Sequence, residues 1–185
     1  MKLGGEAPEL DAIDLQILTI LQEHGRIPHV KLGEQVGLSA PSVIERVKKL
    51  EDSGVITGYH AAVDAKRLGK DVTAFIGVSI AHPKTISLFE DAIELVDDVL
   101  ECHHITGEHT VLLKVKTANT STLEQLIRTI RLIEGVTRTE TMVVLSTHTE
   151  RTQITVPADG LSDSTNGRRH RQVAVKNGLG DSKRT

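Results

Sequence analysis

The spacing of hydrophobic residues changes near residue 71, and this change limits the folds that the chain can adopt. Before it, hydrophobic residues recur every three or four positions, as they do in helices that bury one face. After it they alternate, which is typical of a strand, at Val72, Ala74, Ile76, Val78 and Ile80. With 185 residues, the chain is long enough for two cores. We therefore predict an α+β protein with a helical domain at 1–63, a linker at 64–71 and a mixed domain at 72–156.

The first part of the chain carries the signals of three short helices. Asp11 stands at an N-cap position with Asp14 in the capping-box position, and Gly25 ends this first helix. A second helix is predicted from Val30 to Gly37. A tight turn then leads to a third helix that begins at Ser39 and ends at Gly54. Two helices joined in this way predict a helix-turn-helix, whose second helix enters the major groove of DNA. An ordinary helical hairpin remains the alternative.

The third predicted helix divides into a buried stripe and an outward face. Val43, Val47 and Leu50 share the stripe, so Ser42, Lys48 and Lys49 point outward. We predict that these three residues contact DNA, together with the helix N-terminus at Ser39. Arg46 lies at the edge of the stripe. It can contact DNA or anchor the helix to a carboxylate in the core, and both interpretations remain open.

The segments that flank the domains are less regular. Residues 55–63 are rich in β-branched and small residues, which predicts an extended wing or arm. Residues 157–185 lack any sustained period and are predicted to be a disordered tail. Within the tail, a basic cluster at 168–171 could contact DNA phosphate, although a solvated tail is the favoured interpretation.

Net charge is −1 for 1–70, −5 for 71–156 and +3 for 157–185. Binding to double-stranded DNA therefore requires a localised face and several copies acting together.

The second domain is predicted to have the order β-α-β-β-α-β, which is a ferredoxin-like arrangement with both helices on one sheet face. Further strands are expected at 99–106, 110–116 and 136–147, and helices at 86–96 and 121–135. Ser121 and Glu124 form the predicted capping box of the second of these helices. Apolar residues occur in both phases of the last two strands. We therefore expect the uncovered sheet face to pack against another copy of the chain.

Several classes of function lack a signal in the sequence. No apolar run is long enough to span a membrane, the N-terminus has no signal-peptide pattern, and the single cysteine, Cys102, excludes an internal disulfide. These features predict a cytoplasmic protein. No phosphate-binding loop, dinucleotide turn or nucleophile elbow is present, so we predict no enzyme activity and no cofactor.

His103, His104 and His109 with Cys102 suggest a metal site. Neighbours on a strand point to opposite faces, however, and we predict none.

Four stretches of sequence carry a specific resemblance. They are LDAIDLQILTILQEHGR, VGLSAPSVIERVKKLEDSGVITGY, ECHHITGEH and IEGVTRTETMVVL. Together they resemble the Lrp/AsnC, or feast/famine, family of transcription regulators over residues 10–153. The resemblance implies a winged helix-turn-helix domain followed by a ferredoxin-like domain, in a homodimer that assembles into tetramers or octamers. It also implies that a small effector, usually an amino acid, binds at interfaces near the turn after the second strand.

The resemblance supplies the candidate effector residues, and one of them departs from the family pattern. The candidates are Gly107, Glu108, His109, Thr110 and Glu140. Either Glu108 swings in to pair with the ammonium group of the effector, or a neighbouring subunit contributes Glu140 from the fourth strand, and both alternatives remain open. The family turn commonly reads glycine, an acidic residue, an aromatic residue and aspartate, whereas Thr110 occupies the aspartate position here. This replacement removes a carboxylate that would pair with an ammonium group. It therefore predicts weak or altered binding of amino acids.

Two alternative functions accompany this interpretation. Siroheme decarboxylases are similar to the family in architecture, and the nine histidines of the chain make a tetrapyrrole site conceivable. The basic third helix favours DNA binding instead. The other alternative is a DNA-organising protein that acts without an effector.

Overall fold

The computed structural model describes residues 9–157. These residues divide into two compact units, one at 61–151 and the other at 9–60 together with 152–157. Residues 152–157 fall in the first unit, where Gln153 and Ile154 form hydrogen bonds with Gln22. The predicted tail lies outside the described residues, apart from Pro157. None of the helices described at 9–157 is long and apolar enough to cross a membrane.

The first unit contains three helices: α1 (Ala12–Glu23), α2 (His29–Val36) and α3 (Ala40–Asp52). The predicted capping box of α1 is confirmed. The backbone N–H of Asp14 donates to Asp11 at 2.8 Å, and that of Asp11 donates to Asp14 at 3.2 Å. The three helices bury one apolar cluster that contains the predicted stripe of α3, formed by Ile17, Leu32, Val36, Val43, Val47 and Leu50. Burial of this cluster fixes the orientation of α3.

The turn between α2 and α3 depends on two glycines. Gly37 ends α2 in the left-handed region at φ 71°, and its backbone N–H donates to the carbonyl of Gly33. A Cβ on Gly33 would lie 2.5 Å from the carbonyl oxygen of Leu38, so a larger residue would push the turn away from α2. These two positions keep the two helices of the motif close together.

The predicted wing is not a strand in the structure. Residues 55–63 pair with no other segment as a ladder within the described range. A strand needs a partner for its backbone groups, and no second strand lies in the described part of this unit. The helix-turn-helix is confirmed, and the segment predicted as an extended wing or arm belongs to no strand ladder within residues 9–157.

The second unit has the predicted β-α-β-β-α-β order. Its elements are β1 (Val72–Ile80), α4 (Ile86–Glu94), β2 (Val99–His104), β3 (Val111–Thr117), α5 (Thr120–Arg131) and β4 (Val136–Val143). Short 3-10 turns occupy Lys66–Leu68 and Pro83–Thr85. The sheet has the order β2-β3-β1-β4 and is antiparallel throughout. The ferredoxin-like fold is thus confirmed.

The helix-covered face of the sheet forms the second core. Alternate residues of β1 and β3 pack there against α4 and α5. The strands contribute Ala74, Ile76, Val78, Val111, Leu113 and Val115, and the helices contribute Phe89, Ile93 and Ile130, among others. The opposite face, called the open face below, presents residues of the other phase. Phe75, Leu112 and Met142 are its apolar members. Lys114 on this face bonds to Glu101 at 3.0 Å and to Glu150 at 2.7 Å. The open face therefore combines apolar residues with ion pairs, in agreement with the partly apolar face that the sequence predicted.

Two local boundaries differ from the prediction. The N-cap of α5 is Asn119, which forms a capping box with Thr122, so the predicted pair Ser121 and Glu124 was wrong. Strand β4 ends at Val143 rather than at Thr147. Its partner β1 begins at Val72, and the backbone N–H of Val144 makes one last bond, to Thr73. Beyond that point β4 has no neighbour with which to pair.

Candidate nucleic-acid interface and effector site

Helix α3 presents a short polar surface opposite its buried stripe. Ser39 caps the helix, and its hydroxyl lies 2.8 Å from that of Ser42. Ser39, Lys48 and Lys49 are exposed, while Ser42 is half-buried. The N-terminal end of α3 and two lysine ammonium groups about 14 Å further along the helix thus reach solvent. Such a surface can bind phosphate and the edges of bases.

Arg46 differs from the other predicted contact residues because it is already paired within the unit. Its Nη1 atom lies 2.7 Å from Asp11 Oδ2 and 2.7 Å from Asp14 Oδ1, and the Asp14 side chain is only 3 % exposed. The backbone N–H of Asp14 and the guanidinium of Arg46 lower the pKa of Asp11. Of the two interpretations left open by the sequence, the structure shows the anchor, which joins α3 to the capping box of α1.

Ile44 is an additional candidate on α3 that the sequence analysis did not single out. Its side chain is 49 % exposed even though it is a large aliphatic group in a helix that buries its neighbour Val43. An apolar residue on the outward face of a recognition helix can contact a thymine methyl group. The signal was available in the sequence, because Ile44 falls outside the apolar stripe.

The turn between β2 and β3 holds the candidate effector residues. Gly107 adopts φ 123°, and Glu108 beside it is exposed. Arg138 of β4 forms ion pairs with Glu108 and, at 3.3 Å, with Glu140. The structure therefore brings Glu140 to the turn within one chain, whereas the sequence analysis considered Glu140 only as a contribution from a neighbouring subunit, as one of two alternatives. The reason is the register of β4, which places Glu140 opposite Gly77 of β1.

His109 lies flat against β1 at the centre of this group. Its side chain is 10 % exposed, with Nδ1 3.1 Å from the hydroxyl of Ser79 and Nε2 3.2 Å from Glu140 Oε2. The ring occupies the space that a side chain at position 77 would need, since a Cβ on Gly77 would lie 2.4 Å from the ring. Glycine at this position is thus required for the observed placement of His109.

Thr110 plays a structural part in the same turn. Its backbone N–H donates to the carbonyl of Val78 at 2.9 Å, and its hydroxyl accepts the backbone N–H of Ile80 at 3.1 Å. Thr110 thereby closes the end of the β1–β3 ladder. It contributes no charge to the turn, whose negative charges belong to Glu108 and Glu140.

His103 and His104 of β2 point to opposite faces of the sheet, as the sequence predicted. His103 bonds to Glu101 on the open face, whereas His104 bonds to Glu90 of α4 at 2.8 Å on the covered side. A different group comes together at the turn, where one ligand atom from each of Glu108, His109 and Glu140 lies within 4.8 Å of the others. Arg138 pairs with both carboxylates of that group, and it places a positive charge where a cation would bind.

Comparison with known proteins agrees with this architecture. The family model of the AsnC-type helix-turn-helix domain matches residues 10–51, and that of the Lrp/AsnC ligand binding domain matches residues 73–154. The transcriptional regulator YezC of Bacillus subtilis is 46 % identical over 137 residues, which cover 74 % of this chain and 94 % of YezC. The leucine-responsive regulatory protein of Haemophilus influenzae is 36 % identical over 139 residues, covering 74 % of this chain and 84 % of that protein.

Solved structures give the same result. AsnC of E. coli superposes with a TM-score of 0.73 at 32 % identity, covering 78 % of this chain and 97 % of AsnC. A transcriptional regulator from Neisseria meningitidis in complex with L-Met superposes with a TM-score of 0.75 at 30 % identity, covering 79 % and 96 % of the two chains. Both domains and nearly the whole length of these relatives are matched, and so the chain belongs to the Lrp/AsnC family of transcriptional regulators.

Proposed function

We propose that the protein regulates transcription in the cytoplasm by reading a specific DNA sequence with α3. The observation that carries the proposal is the arrangement of α3. Its buried stripe and the Arg46 anchor fix the helix on its unit, while Ser39, Lys48 and Lys49 remain exposed on the outward side. Lys48 and Lys49 are assigned to phosphates or base edges, Ser42 to a base edge, and Ile44 to a thymine methyl group. Arg46 is assigned to positioning α3.

We further propose that two copies act together as a homodimer, which can assemble into tetramers or octamers. The open face supports this proposal because it presents the exposed Met142 and the half-buried Phe75 and Leu112 beside paired charges. A two-fold dimer presents two copies of α3 to half-sites about one helical turn apart. Because the two copies of α3 are linked in one dimer, binding to both half-sites at once raises the affinity of the dimer for DNA without any new kind of contact.

The assignment of α3 is tested by Lys49→Ala. The variant is expected to bind duplex DNA more weakly and to show a salt dependence shallower by about 0.9 in log–log slope, since one fewer counterion is released per chain. Fluorescence anisotropy at salt concentrations from about 50 to 200 mM measures both quantities. Lys84→Ala, which removes an exposed lysine from the sheet unit, is the matched control. Equal slopes for Lys49→Ala and the wild type would remove Lys49 from the interface.

The group around the turn supports an effector site with both signs of charge. Arg138 offers a guanidinium to a carboxylate, and Glu108 and Glu140 offer carboxylates to an ammonium group. We therefore propose that a zwitterion such as an amino acid binds here. Its carboxylate replaces Glu108 or Glu140 as the partner of Arg138, and its ammonium group pairs with the carboxylates that are released. Two neighbouring structures, from Neisseria meningitidis and Mycobacterium tuberculosis, are complexes with L-methionine. Each internal ion pair must open on binding, so we expect amino acids to bind weakly.

The proposal gives the protein a regulatory rather than a catalytic role. The siroheme-decarboxylase alternative requires a bound tetrapyrrole, which absorbs strongly in the visible range. A visible spectrum of the purified protein distinguishes the two functions. A tetrapyrrole band that resists dialysis would contradict the regulatory role.

A further inference from the structure

His109 lies at the centre of the group around the turn, yet the exchange of ion pairs proposed above gives it no part. Each ring nitrogen has a partner, because the Ser79 hydroxyl lies 3.1 Å from Nδ1 and Glu140 Oε2 lies 3.2 Å from Nε2. An ionised carboxylate can only accept a hydrogen bond, whereas a hydroxyl can donate one. We therefore assign the proton of the neutral ring to Nε2, which donates to Glu140. The ring thus connects β1 to a carboxylate of β4.

Packing fixes the position of this ring. The His109 side chain is only 10 % exposed, and it lies against Gly77, where a Cβ would come within 2.4 Å of the ring. The donor that faces Glu140 therefore stays in one place. A carboxylate held by such a donor loses less side-chain freedom when a ligand binds to it.

Glu108 and Glu140 differ in what holds them once an effector is bound. Both pair with Arg138, and the Glu108 side chain is 66 % exposed. A guanidinium binds a carboxylate best through two parallel N–H groups, so the carboxylate of an effector displaces both glutamates from Arg138. Glu140 then keeps its bond to His109. Among residues 9–157, no second ion-pair partner holds Glu108.

We propose that His109 is a positioning residue of the effector site, and that it holds Glu140 in place as the carboxylate that binds the ammonium group. The inference rests on the proposed effector site. It selects Glu140 over Glu108, and it makes the ammonium group a requirement for the full affinity. The two carboxylates and the guanidinium of Arg138 leave one net negative charge, which a neutral His109 does not cancel.

This role makes effector binding depend on pH, because histidine changes its charge between about pH 5 and 8. At the upper end of this range, the neutral ring donates to Glu140 and leaves the negative charge of the carboxylate available. At the lower end, the imidazolium pairs with Glu140 and competes with the ammonium group. The affinity for an ammonium ligand therefore falls as the pH falls. The other groups around the ring are the charged Glu108 of the turn and Arg138 of β4, and the uncharged Gly77 and Ser79 of β1.

The test compares full-length variants by calorimetric titration with two ligands, L-methionine and its analogue without the ammonium group. His109→Gln keeps an N–H donor but cannot become a cation, and His109→Phe keeps a ring against Gly77 but donates no hydrogen bond. The matched control is His104→Gln, because His104 also pairs with a glutamate, Glu90, at 2.8 Å, but does so on the helix-covered side.

At about pH 8 we expect Glu140→Gln to lower the affinity for L-methionine by about tenfold or more, and Glu108→Gln to lower it by less. His109→Phe should lower this affinity as well, and His109→Gln should retain it. The analogue without the ammonium group should show smaller losses in each variant. Between about pH 8 and about pH 5.5, the wild type and His104→Gln should lose about fivefold or more in affinity for L-methionine, whereas His109→Gln should stay constant.

Two results would overturn the inference while the effector site stands. One is an equal loss of affinity in Glu108→Gln and Glu140→Gln, and the other is a pH profile of His109→Gln that matches the profile of the wild type. A wild-type protein that binds neither ligand at millimolar concentrations would instead overturn the proposed effector site, and the inference with it.

Discussion

Thr110 stands at the position where the resemblance led us to expect an aspartate, and the structure shows what the threonine does. Its hydroxyl accepts the backbone N–H of Ile80, a bond that an aspartate carboxylate can accept equally well. We therefore expect Thr110→Asp to fold normally. We also expect it to bind amino acids more tightly than the wild type, because the new carboxylate supplies a partner for the ammonium group.

Calorimetric titration of both proteins with a panel of amino acids measures this gain. Thr110→Asn is the control, since it keeps the size of aspartate and its hydrogen-bond acceptor without the charge. Tight binding by the wild type that Thr110→Asp leaves unchanged would show that the ammonium group binds elsewhere.

The residues around Thr110 also show why only part of this site could be predicted. The turn residues 107–110 follow one another in the chain, so a sequence motif identifies them. Ser79 and Arg138 come from strands about thirty residues away and reach the turn through the register of the sheet. Sequence periodicity predicts which residues share a face, but it does not align one strand with another.

At the scale of elements, the ion pairs of Arg46 join α3 to the N-terminus of α1. Removal of Arg46 leaves Asp14 buried without its charged partner. We expect Arg46→Ala to lower the free energy of unfolding of the helical unit by about 1–3 kcal/mol, less than for a fully buried pair because Arg46 is partly exposed.

Tyr59 is the single tyrosine of a chain without tryptophan, and it belongs to the helical unit, where it bonds to Glu51. Its fluorescence during a urea titration therefore reports on the unfolding of this unit. The control is Lys48→Ala, which changes an exposed residue on the same helix. Its free energy of unfolding is expected to stay within about 0.5 kcal/mol of that of the wild type. Equal losses in the two variants would contradict the anchoring role of Arg46.

The stabilisation by this ion pair should depend on pH in one direction. The pKa of Asp11 is lowered in the folded state, so its contribution is present above its ordinary value of about 3.9. The contribution is lost as pH falls through the lower, folded pKa. The difference in free energy of unfolding between the wild type and Arg46→Ala should accordingly be constant near neutral pH and shrink below about pH 4.

Element boundaries were predictable where a local signal determined them. The cap of α1 and the glycine that ends α2 were correct because each depends on residues a few positions apart. The end of β4 was wrong because it depends on where β1 begins. The cap of α5 was wrong because two overlapping patterns, at Asn119 and at Ser121, both resemble an N-cap, and Asn119 precedes the first helical turn.

At the scale of the whole molecule, the open face of the sheet determines the predicted assembly. Leu112 is half-buried on this face between β1 and β2. We expect the wild type to be at least a dimer, and Leu112→Glu to shift it towards monomer, because a charge there loses its hydration on packing. Leu132→Glu, at an exposed leucine that ends α5, should leave the assembly unchanged.

Light scattering over a range of micromolar concentrations measures the mass of each protein. A monomeric wild type would show that the open face is not an interface. The sequence predicted a partly apolar open face but not the ion pairs that cross it, which join Lys114 to residues of β2 and of the segment after β4.

The central claim is that paired copies of α3 read a specific DNA sequence. Selection from a library of randomised duplexes by the full-length protein tests this claim most directly. We predict enrichment of one pseudo-palindromic site with half-sites about one helical turn apart, and loss of that enrichment for Lys48→Ala combined with Lys49→Ala. Recovery of unenriched, random sequences by a protein that nevertheless binds duplex DNA would contradict the claim.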